Sequence, residues 1–232
     1  MNSSSGILVF SIVITVAAYL ASRALFLRFR QPLLNPVFLS TIVVIPILQV
    51  SGLTFQDYSP AKEVMTFLLG PATVALALPL YRHREALQRY ALPILAGVAA
   101  GSLSTMATAI WLGRLTGLSH QLQLSLAPKS ITAPIAMEVA RLTGGDPSLA
   151  VAFVVATGML GSMLGPPLLS RLQVANPVAR GLAMGTTSHG QGTAMAIMEG
   201  ETQGAMAGIA MALAAIFTSL VAPYYIPLLI AG

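Results

Sequence analysis

Eight apolar runs, most of them close to the length of a membrane-spanning helix, follow one another along this chain of 232 residues. A helix needs about 20 apolar residues to cross about 30 Å of hydrocarbon, where lipid offers no partner for an unpaired backbone group. Only 8% of the residues are charged, against about 25% in soluble domains. The sequence therefore predicts an all-α, polytopic membrane protein, with segments Ile7–Ser22, Asn35–Leu53, Lys62–Tyr81, Ala91–Leu112, Leu122–Leu142, Ser148–Leu169, Val178–Met198 and Ala205–Ile230.

The basic residues fall in short gaps between the apolar runs. There are 12 Lys and Arg against 7 Asp and Glu, but no basic run with interleaved aromatics, so nucleic acid is not an expected partner. The absence of cysteine excludes disulfides and thiolate chemistry. Adjacent Ser188 and His189 do not form a catalytic relay, and three scattered histidines lack metal-ligand spacing. We expect no catalytic residues, no metal site and no cofactor.

The arginines give an expected orientation. If every segment crosses the membrane, one group of arginines shares a side, which the positive-inside rule assigns to the cytoplasm, with both termini outside. That group is Arg23, Arg28, Arg30, Arg82, Arg84, Arg89 and Arg141. Lys62, Arg114, Lys129, Arg171 and Arg180 then lie on the other side or within the membrane. A re-entrant fifth or seventh segment would invert part of this assignment.

The seventh segment contains a polar stretch, Thr186–Thr193, that is unusual in an apolar chain. Lipid tolerates such a stretch only where helices bury it or where it lines a wet cavity. Its glycines allow the backbone to leave helical geometry and approach a ligand, although small residues also serve helix packing. We interpret it as a helix break that forms half of a substrate site, with candidate residues Thr187, Ser188, His189, Gly190, Gln191, Gly192 and Thr193.

The fifth segment contains the other predicted break, between Pro128 and Pro134. Each proline removes a backbone donor and disfavours helical geometry before it. A helix that restarts near Pro134 directs its free N–H groups and positive dipole end toward the gap, where an anion can bind. The candidate substrate-binding residues in this gap are Lys129, Ser130 and Thr132. The alternative is that Lys129 extends to the membrane interface and Pro128 merely starts a helix.

Three further charged residues are candidates for ion coupling or gating. Glu138 follows the first break and is a candidate proton or cation carrier, or the partner of Lys129 or Arg141. Arg180 opens the seventh segment, where it could clamp an anion or anchor the helix at the interface. Glu199 closes that segment and could equally be a solvated loop charge.

An internal repeat links the two breaks. Leu69–Thr73 matches Leu126–Ser130 at an offset of 57 residues, and a fainter echo places Ser130–Met137 on Ser188–Met195. Interrupted helices in matching positions are typical of secondary transporters, although short apolar hairpins also resemble one another. We therefore predict two or three discontinuous helices, one of them interrupted at Gly70 and Pro71. All lie in a single transmembrane domain, with scaffold helices over 1–60 and repeated broken-helix units over 61–232.

Four stretches of the sequence resemble the LrgB/CidB family of bacterial membrane proteins, which includes the membrane part of the plant plastid glycolate/glycerate translocator. The stretches are L-L-G-P-A-T-V-A-L-A-L-P-L-Y from Leu68, L-A-P-K-S-I-T-A-P-I-A-M-E from Leu126, A-R-G-L-A-M-G-T-T-S-H-G-Q-G-T from Ala179 and E-G-E-T-Q-G-A-M-A-G-I-A-M from Glu199. The family's motif positions map onto Pro128, Lys129, Ser130, Thr132, Pro134, Glu138, Arg180, Ser188, His189, Gly190, Gly192 and Thr193. Gln191 departs from the family pattern, in which this position is more often apolar.

The resemblance implies export or exchange of small carboxylates such as glycolate, glycerate or pyruvate. We therefore predict a secondary transporter of small carboxylates whose site is formed by two discontinuous helices. The alternative that the resemblance also implies is a holin-like or antiholin-like protein that regulates murein hydrolase activity and autolysis with a small LrgA/CidA-type partner. We expect a multi-pass protein of the bacterial cytoplasmic (inner) membrane, in contact with the lipid bilayer and homo-oligomeric, with a dimer favoured.

Overall fold

A computed structural model describes residues 3–29, 31–75, 81, 88 and 90–231. These residues form helices, with no strand among them, and the prediction of an all-α polytopic membrane protein is confirmed. The chain folds into two compact units, Met1–Leu78 and Pro79–Gly232. The sequence-based assignment of one transmembrane domain with a scaffold over 1–60 stays a prediction.

The described residues of the first unit form three α-helices: α1 (Ser3–Phe29), α2 (Pro36–Val50) and α3 (Phe55–Ala75). A 3-10 turn at Pro32–Leu34 joins the first two, and the Asn35 side chain caps α2 by accepting from two backbone N–H groups. The hydroxyls of Thr15 and Tyr58 lie 3.0 Å apart and tie α1 to α3. The first of these contacts fixes the start of α2, and the second helps to fix how α1 packs against α3.

The start and course of α3 correct two sequence-based predictions. The polar composition of residues 54–60 predicts a connector, but α3 begins at Phe55 because Thr54 and Asp57 form a capping box. The hydrogen bonds from the Thr54 hydroxyl and N–H hold the pKa of Asp57 below its ordinary value. The predicted interruption at Gly70 and Pro71 is also wrong, since α3 continues to Ala75. Four arginines of the predicted cytoplasmic group, Arg30, Arg82, Arg84 and Arg89, lie outside the described residues.

The second unit contains six described helices: α4 (Ala91–Leu115), α5 (His120–Leu126), α6 (Ala133–Thr143), α7 (Pro147–Arg171), α8 (Pro177–Glu199) and α9 (Glu201–Ala231). Within the described part of the whole chain, four helices are long and apolar enough to cross a membrane: Ser5–Phe29, Ala91–Leu115, Pro147–Arg171 and Glu201–Ile230. The fifth predicted segment is thus split into α5 and α6, and the seventh corresponds to α8.

Helices α4 and α9 run in the same direction. Near their beginnings Ile94 and Val98 pack with Met206 and Ile209, and near their ends Met106 and Ile110 pack with Ala222 and Ile226. The Arg114 guanidinium donates to the Ile230 carbonyl at 2.5 Å, so both helices end at one level. Thr143 at the end of α6 lines a cavity with Ile230, and we call this end of the unit the Thr143 side. The opposite end is the Arg180 side.

Candidate functional site

Helix α8 is a re-entrant hairpin that returns to the side from which it starts. The Arg180 guanidinium and the Glu199 carboxylate are 2.7 Å apart, although 19 residues of straight helix would separate them by about 28 Å. The reversal occurs at His189, whose φ of 40° and ψ of −130° are far from helical values. Beyond it Gly192 packs against the Met184 carbonyl, an approach that leaves no space for a side chain. The predicted break in the seventh segment is therefore a complete change of direction.

The turn of this hairpin lies against the middle of α7. A Cβ added at Gly165 would lie 2.6 Å from the Met184 sulfur, and one at Gly158 would lie 2.6 Å from the His189 ring. Between them, Gly161 faces the Ser188 hydroxyl. Because α7 spans Pro147–Arg171, these contacts bring the turn close to the midpoint of a helix that is long enough to cross a membrane.

The fifth segment forms a second hairpin. The Ser125 hydroxyl near the end of α5 accepts from the Asp146 N–H at 2.7 Å, and Leu124 lies beside Gly144 and Gly145. After Ser125 the chain passes through the non-helical segment 127–132 and then returns along α6. The end of α6 therefore lies at the same level as Ser125. Since α6 rises about 16 Å over its 11 residues, segment 127–132 reaches a similar depth along α7 as the turn of α8.

The two hairpins enter from opposite sides. The α5–α6 hairpin opens on the Thr143 side and is followed by α7, whereas the α8 hairpin opens on the Arg180 side and is followed by α9, antiparallel to α7. The fainter repeat in the sequence thus corresponds to an inverted structural repeat.

The expected orientation in the membrane needs correction. Because the fifth segment returns to the side from which it starts, Arg114 and Arg141 lie on the same side and not on opposite sides. Arg171 and Arg180 lie on the other side, so these four arginines favour neither orientation.

The two turns converge around Val154 of α7. The His189 Nε2 lies 3.0 Å from the Val154 carbonyl oxygen; as a carbonyl only accepts, Nε2 carries the proton and Nδ1 is left as an acceptor in the neutral ring. The Val154 side chain belongs to the same buried cluster as Ala127 and Ile131 of the first turn. Lys129 lies between Ala127 and Ile131 in this first turn. The structure therefore brings together the two predicted halves of the site.

Lys129 lacks a carboxylate partner within the part of the chain that the structure describes. Its ammonium donates to the Ser130 hydroxyl at 3.2 Å, and the described ion pairs involve other residues. The side chain is half-buried, Ser130 is buried, and Thr132 is the N-cap of α6 without a side-chain cap bond. A positive charge, a hydroxyl and a helix N-terminus with unpaired N–H groups thus adjoin in segment 127–132, a combination suited to an anion.

The second turn adds further polar groups. The hydroxyls of Thr187 and Ser188 are 3.2 Å apart, and the Thr193 hydroxyl donates to the His189 carbonyl at 2.9 Å, which holds the returning arm to the turn. The Gln191 Oε1 is buried, and no hydrogen-bond partner for it lies among the described residues. Gly190 and Thr187 are exposed. A buried acceptor without a hydrogen-bond partner destabilises the protein. The Gln191 Oε1 is therefore available to a hydrogen-bond donor on a bound ligand.

The three predicted coupling residues lie away from the turns. Glu138 is exposed on α6 and pairs with Arg141 at 3.2 Å instead of with Lys129. Arg180 and Glu199 close the mouth of the α8 hairpin, and Arg180 also donates to the carbonyls of Pro166 and Val174. Their contacts hold together the end of α7, the following loop and both ends of α8. Any role of these residues in coupling or gating stays a prediction.

Sequence reasoning missed the contribution of α7 to the site. Gly158, Gly161 and Gly165 provide the surface against which the second hairpin packs, and the Val154 carbonyl orients the histidine. The glycine spacing, three and then four residues, places them on one helix face and is the signal that could have indicated this role.

The fold and the site define a class: a multi-pass α-helical membrane protein with two re-entrant hairpins of opposite direction. The chain belongs to the LrgB-like family, which matches residues 15–228, and the resemblance seen in the sequence is confirmed. No solved structure shows a significant match to this chain.

Three relatives from Bacillus subtilis (strain 168) illustrate the family. The uncharacterized protein YxaC is 38% identical over 212 residues, covering 91% of this chain and 92% of the relative. The uncharacterized protein YwbG is 36% identical over 218 residues, covering 92% and 95%. A protein named "Antiholin-like protein LrgB" is 32% identical over 221 residues, covering 95% and 96%.

Proposed function

We propose that this chain is a secondary transporter of small carboxylates of the glycolate, glycerate or pyruvate type across the bacterial cytoplasmic membrane. The observation that carries the proposal is the meeting of two oppositely directed hairpins at Val154 of α7, whose carbonyl lies 3.0 Å from His189 of one hairpin and whose side chain packs in the same cluster as Ala127 and Ile131 of the other. Broken helices of inverted repeats that meet near the middle of the spans are the arrangement in which transporters bind their substrates.

Each group of the site has a proposed role. Lys129 and the free N–H groups at the start of α6 hold the carboxylate, because the ammonium has only a hydroxyl partner among the described residues. The hydroxyls of Ser130, Ser188 and Thr193 bond the remaining hydroxyl or keto oxygens of the substrate. His189, whose Nδ1 is free to accept when Nε2 donates, couples a proton to the movement of the substrate. The proposal includes no bond-making chemistry, and therefore no catalytic residue.

Uptake by proteoliposomes tests the proposal. The purified chain is reconstituted, and uptake of labelled glycolate or pyruvate is measured with and without an imposed proton or sodium gradient. Lys129→Ala should reduce uptake at least tenfold, because the charge that compensates the carboxylate is lost. His189→Ala should abolish the response to a proton gradient.

Lys62→Ala is the matched control, because Lys62 is an exposed lysine of the first unit whose ammonium lies over the Phe55 ring. It should leave uptake unchanged. Absence of uptake under every gradient, or full uptake by both Lys129→Ala and His189→Ala, would contradict the proposal.

A second candidate function is supported by the names of relatives, which favour it over transport. Proteins named "Antiholin-like protein LrgB" share 32% identity with this chain over most of its length. In this candidate, the chain regulates murein hydrolase activity and autolysis through contact with a small holin-like membrane partner of the LrgA/CidA type. The exposed apolar side chains of the spans, such as Leu160 and Leu220, suit contact with lipid or with another membrane helix.

The two candidates differ in their dependence on the polar turns. If regulation through a partner is the function, an autolysis phenotype should persist in the Lys129→Ala/His189→Ala double variant, and the holin-like partner should co-purify with it. If transport underlies the phenotype, the double variant should behave like a deletion while its abundance in the membrane remains normal.

A further inference from the structure

Helix α6 exposes an ion pair at a depth where its neighbour α7 exposes apolar side chains. Ala136, Val139 and Ala140 are buried against the rest of the unit, whereas Glu138 and Arg141 are exposed. The side chains of this pair are 59% and 62% exposed and lie 3.2 Å apart. With exposed Pro134 they recur at spacings of four and three residues, so they lie along one face of the helix.

This face extends from the mouth of the first hairpin to its turn. Arg141 lies in the last turn of α6, close to the Thr143 side, and Pro134 lies in the first turn, next to segment 127–132. Glu138 lies between them, about 8 Å along the helix from Ala133. Because Ala133 is level with the middle of α7, Glu138 lies well inside the depth that α7 spans.

Exposure of this charged face to the hydrocarbon of the bilayer would be energetically unfavourable. Charged residues at such a depth normally face a bundle interior or a water-filled cavity, and an ion pair exposed to hydrocarbon is unfavourable. On α7, which is antiparallel to α6, the exposed side chains of the corresponding level, such as Val155, are apolar and suit lipid. At this level the exposed side chains of α6 are charged whereas those of α7 are apolar. This contrast indicates that α6 faces water and α7 faces lipid.

We infer that the outer face of α6 lines a water-filled path from the Thr143 side to the turn that contains Lys129. The pair of Arg141 and Glu138 is the hydrated wall of this path. Arg141 attracts an anion at the mouth, and Lys129, which is only half-buried, receives it at the inner end. Use of the path by a carboxylate substrate rests on the proposed transport function, whereas the presence of water along α6 does not.

Thiol labelling tests the inference directly, because the native chain contains no cysteine. Glu138→Cys, Arg141→Cys and Val155→Cys are each prepared in the full chain and reconstituted in lipid vesicles. Reaction with a charged, membrane-impermeant thiosulfonate reagent is then followed over time. Glu138→Cys and Arg141→Cys should react at least tenfold faster than Val155→Cys, because thiolates form in water and not in hydrocarbon.

Val155 is the matched control, since its side chain is 43% exposed on α7 at a comparable depth. If Glu138→Cys does not fold, as judged by gel filtration, Pro134→Cys reports on the inner end of the same face. Equal slow labelling of these positions and of Val155→Cys would overturn the inference and indicate that lipid or protein covers α6. Fast labelling that glycolate or pyruvate slows supports both the path and the proposed function. Fast labelling in a chain without carboxylate uptake supports the path and contradicts transport.

Discussion

Substitution of Gly158 by alanine should push the second hairpin away from α7. An added Cβ would lie 2.6 Å from Cε1 and 2.7 Å from Nε2 of His189, where ordinary contacts begin at 3.4 Å. The ring must therefore move by about 0.8 Å, the difference between 3.4 and 2.6 Å. Movement by that amount can stretch the bond of 3.0 Å to the Val154 carbonyl beyond the limit for a hydrogen bond.

The expected loss of stability is about 2 kcal/mol. Overpacking of a buried contact costs about 1–3 kcal/mol, and loss of the hydrogen bond costs about 0.5–1.5 kcal/mol. Replacement of a helical glycine by alanine by itself stabilises the folded state by about 0.5–1 kcal/mol. For a chain of this size, 1 kcal/mol shifts the melting temperature by roughly 2–4 °C, so Gly158→Ala should melt roughly 4–8 °C below the native protein.

Thermal unfolding of detergent-solubilised protein, followed by gel filtration after heating, measures this shift. Gly97→Ala is the control, because an added Cβ on this glycine of α4 meets no atom within 4 Å; it should be neutral or slightly stabilising. In a His189→Ala background, which removes the ring, Gly158→Ala should lose most of its effect. If Gly158→Ala is as benign as Gly97→Ala, the turn of α8 does not lie against the middle of α7, and the two hairpins do not form a composite site.

Two further predictions concern the mouth of the second hairpin. Arg180→Cys/Glu199→Cys should be joined by a short bifunctional thiol reagent, whereas Ala152→Cys/Arg171→Cys, with the same separation along the continuous helix α7, should not; equal yields would contradict the hairpin. Arg180→Ala should lower stability by about 1–3 kcal/mol in the same melting assay, because it leaves a partly buried carboxylate without its hydrogen-bond donor. The charge-exchanged variant Arg180→Glu/Glu199→Arg should recover part of that loss, and no recovery would mean that Arg180 acts mainly through its bonds to the Pro166 and Val174 carbonyls.

Local chemistry made much of the fold predictable from the sequence. Apolar runs between arginines mark the spans, since lipid excludes charged groups and unpaired backbone. The prolines at 128 and 134 predict an interruption because they remove backbone donors, and segment 127–132 is not helical. A stretch of hydroxyls, glycines and a histidine predicts the second break, which occurs at His189. The interruption predicted from Gly70 and Pro71 is wrong, because α3 continues to Ala75.

Only the tertiary structure decided that both breaks reverse the chain. A broken helix that crosses the membrane and one that returns have the same local sequence, because the difference lies in which neighbours pack against the second half. Here Gly192 packs on Met184, Arg180 meets Glu199, and Ser125 meets Asp146. Such contacts join residues that are 8 to 21 positions apart, beyond the reach of helical periodicity. They set the direction of the hairpins, and hence the convergence of both turns at Val154 and the exposure of the charged pair on α6.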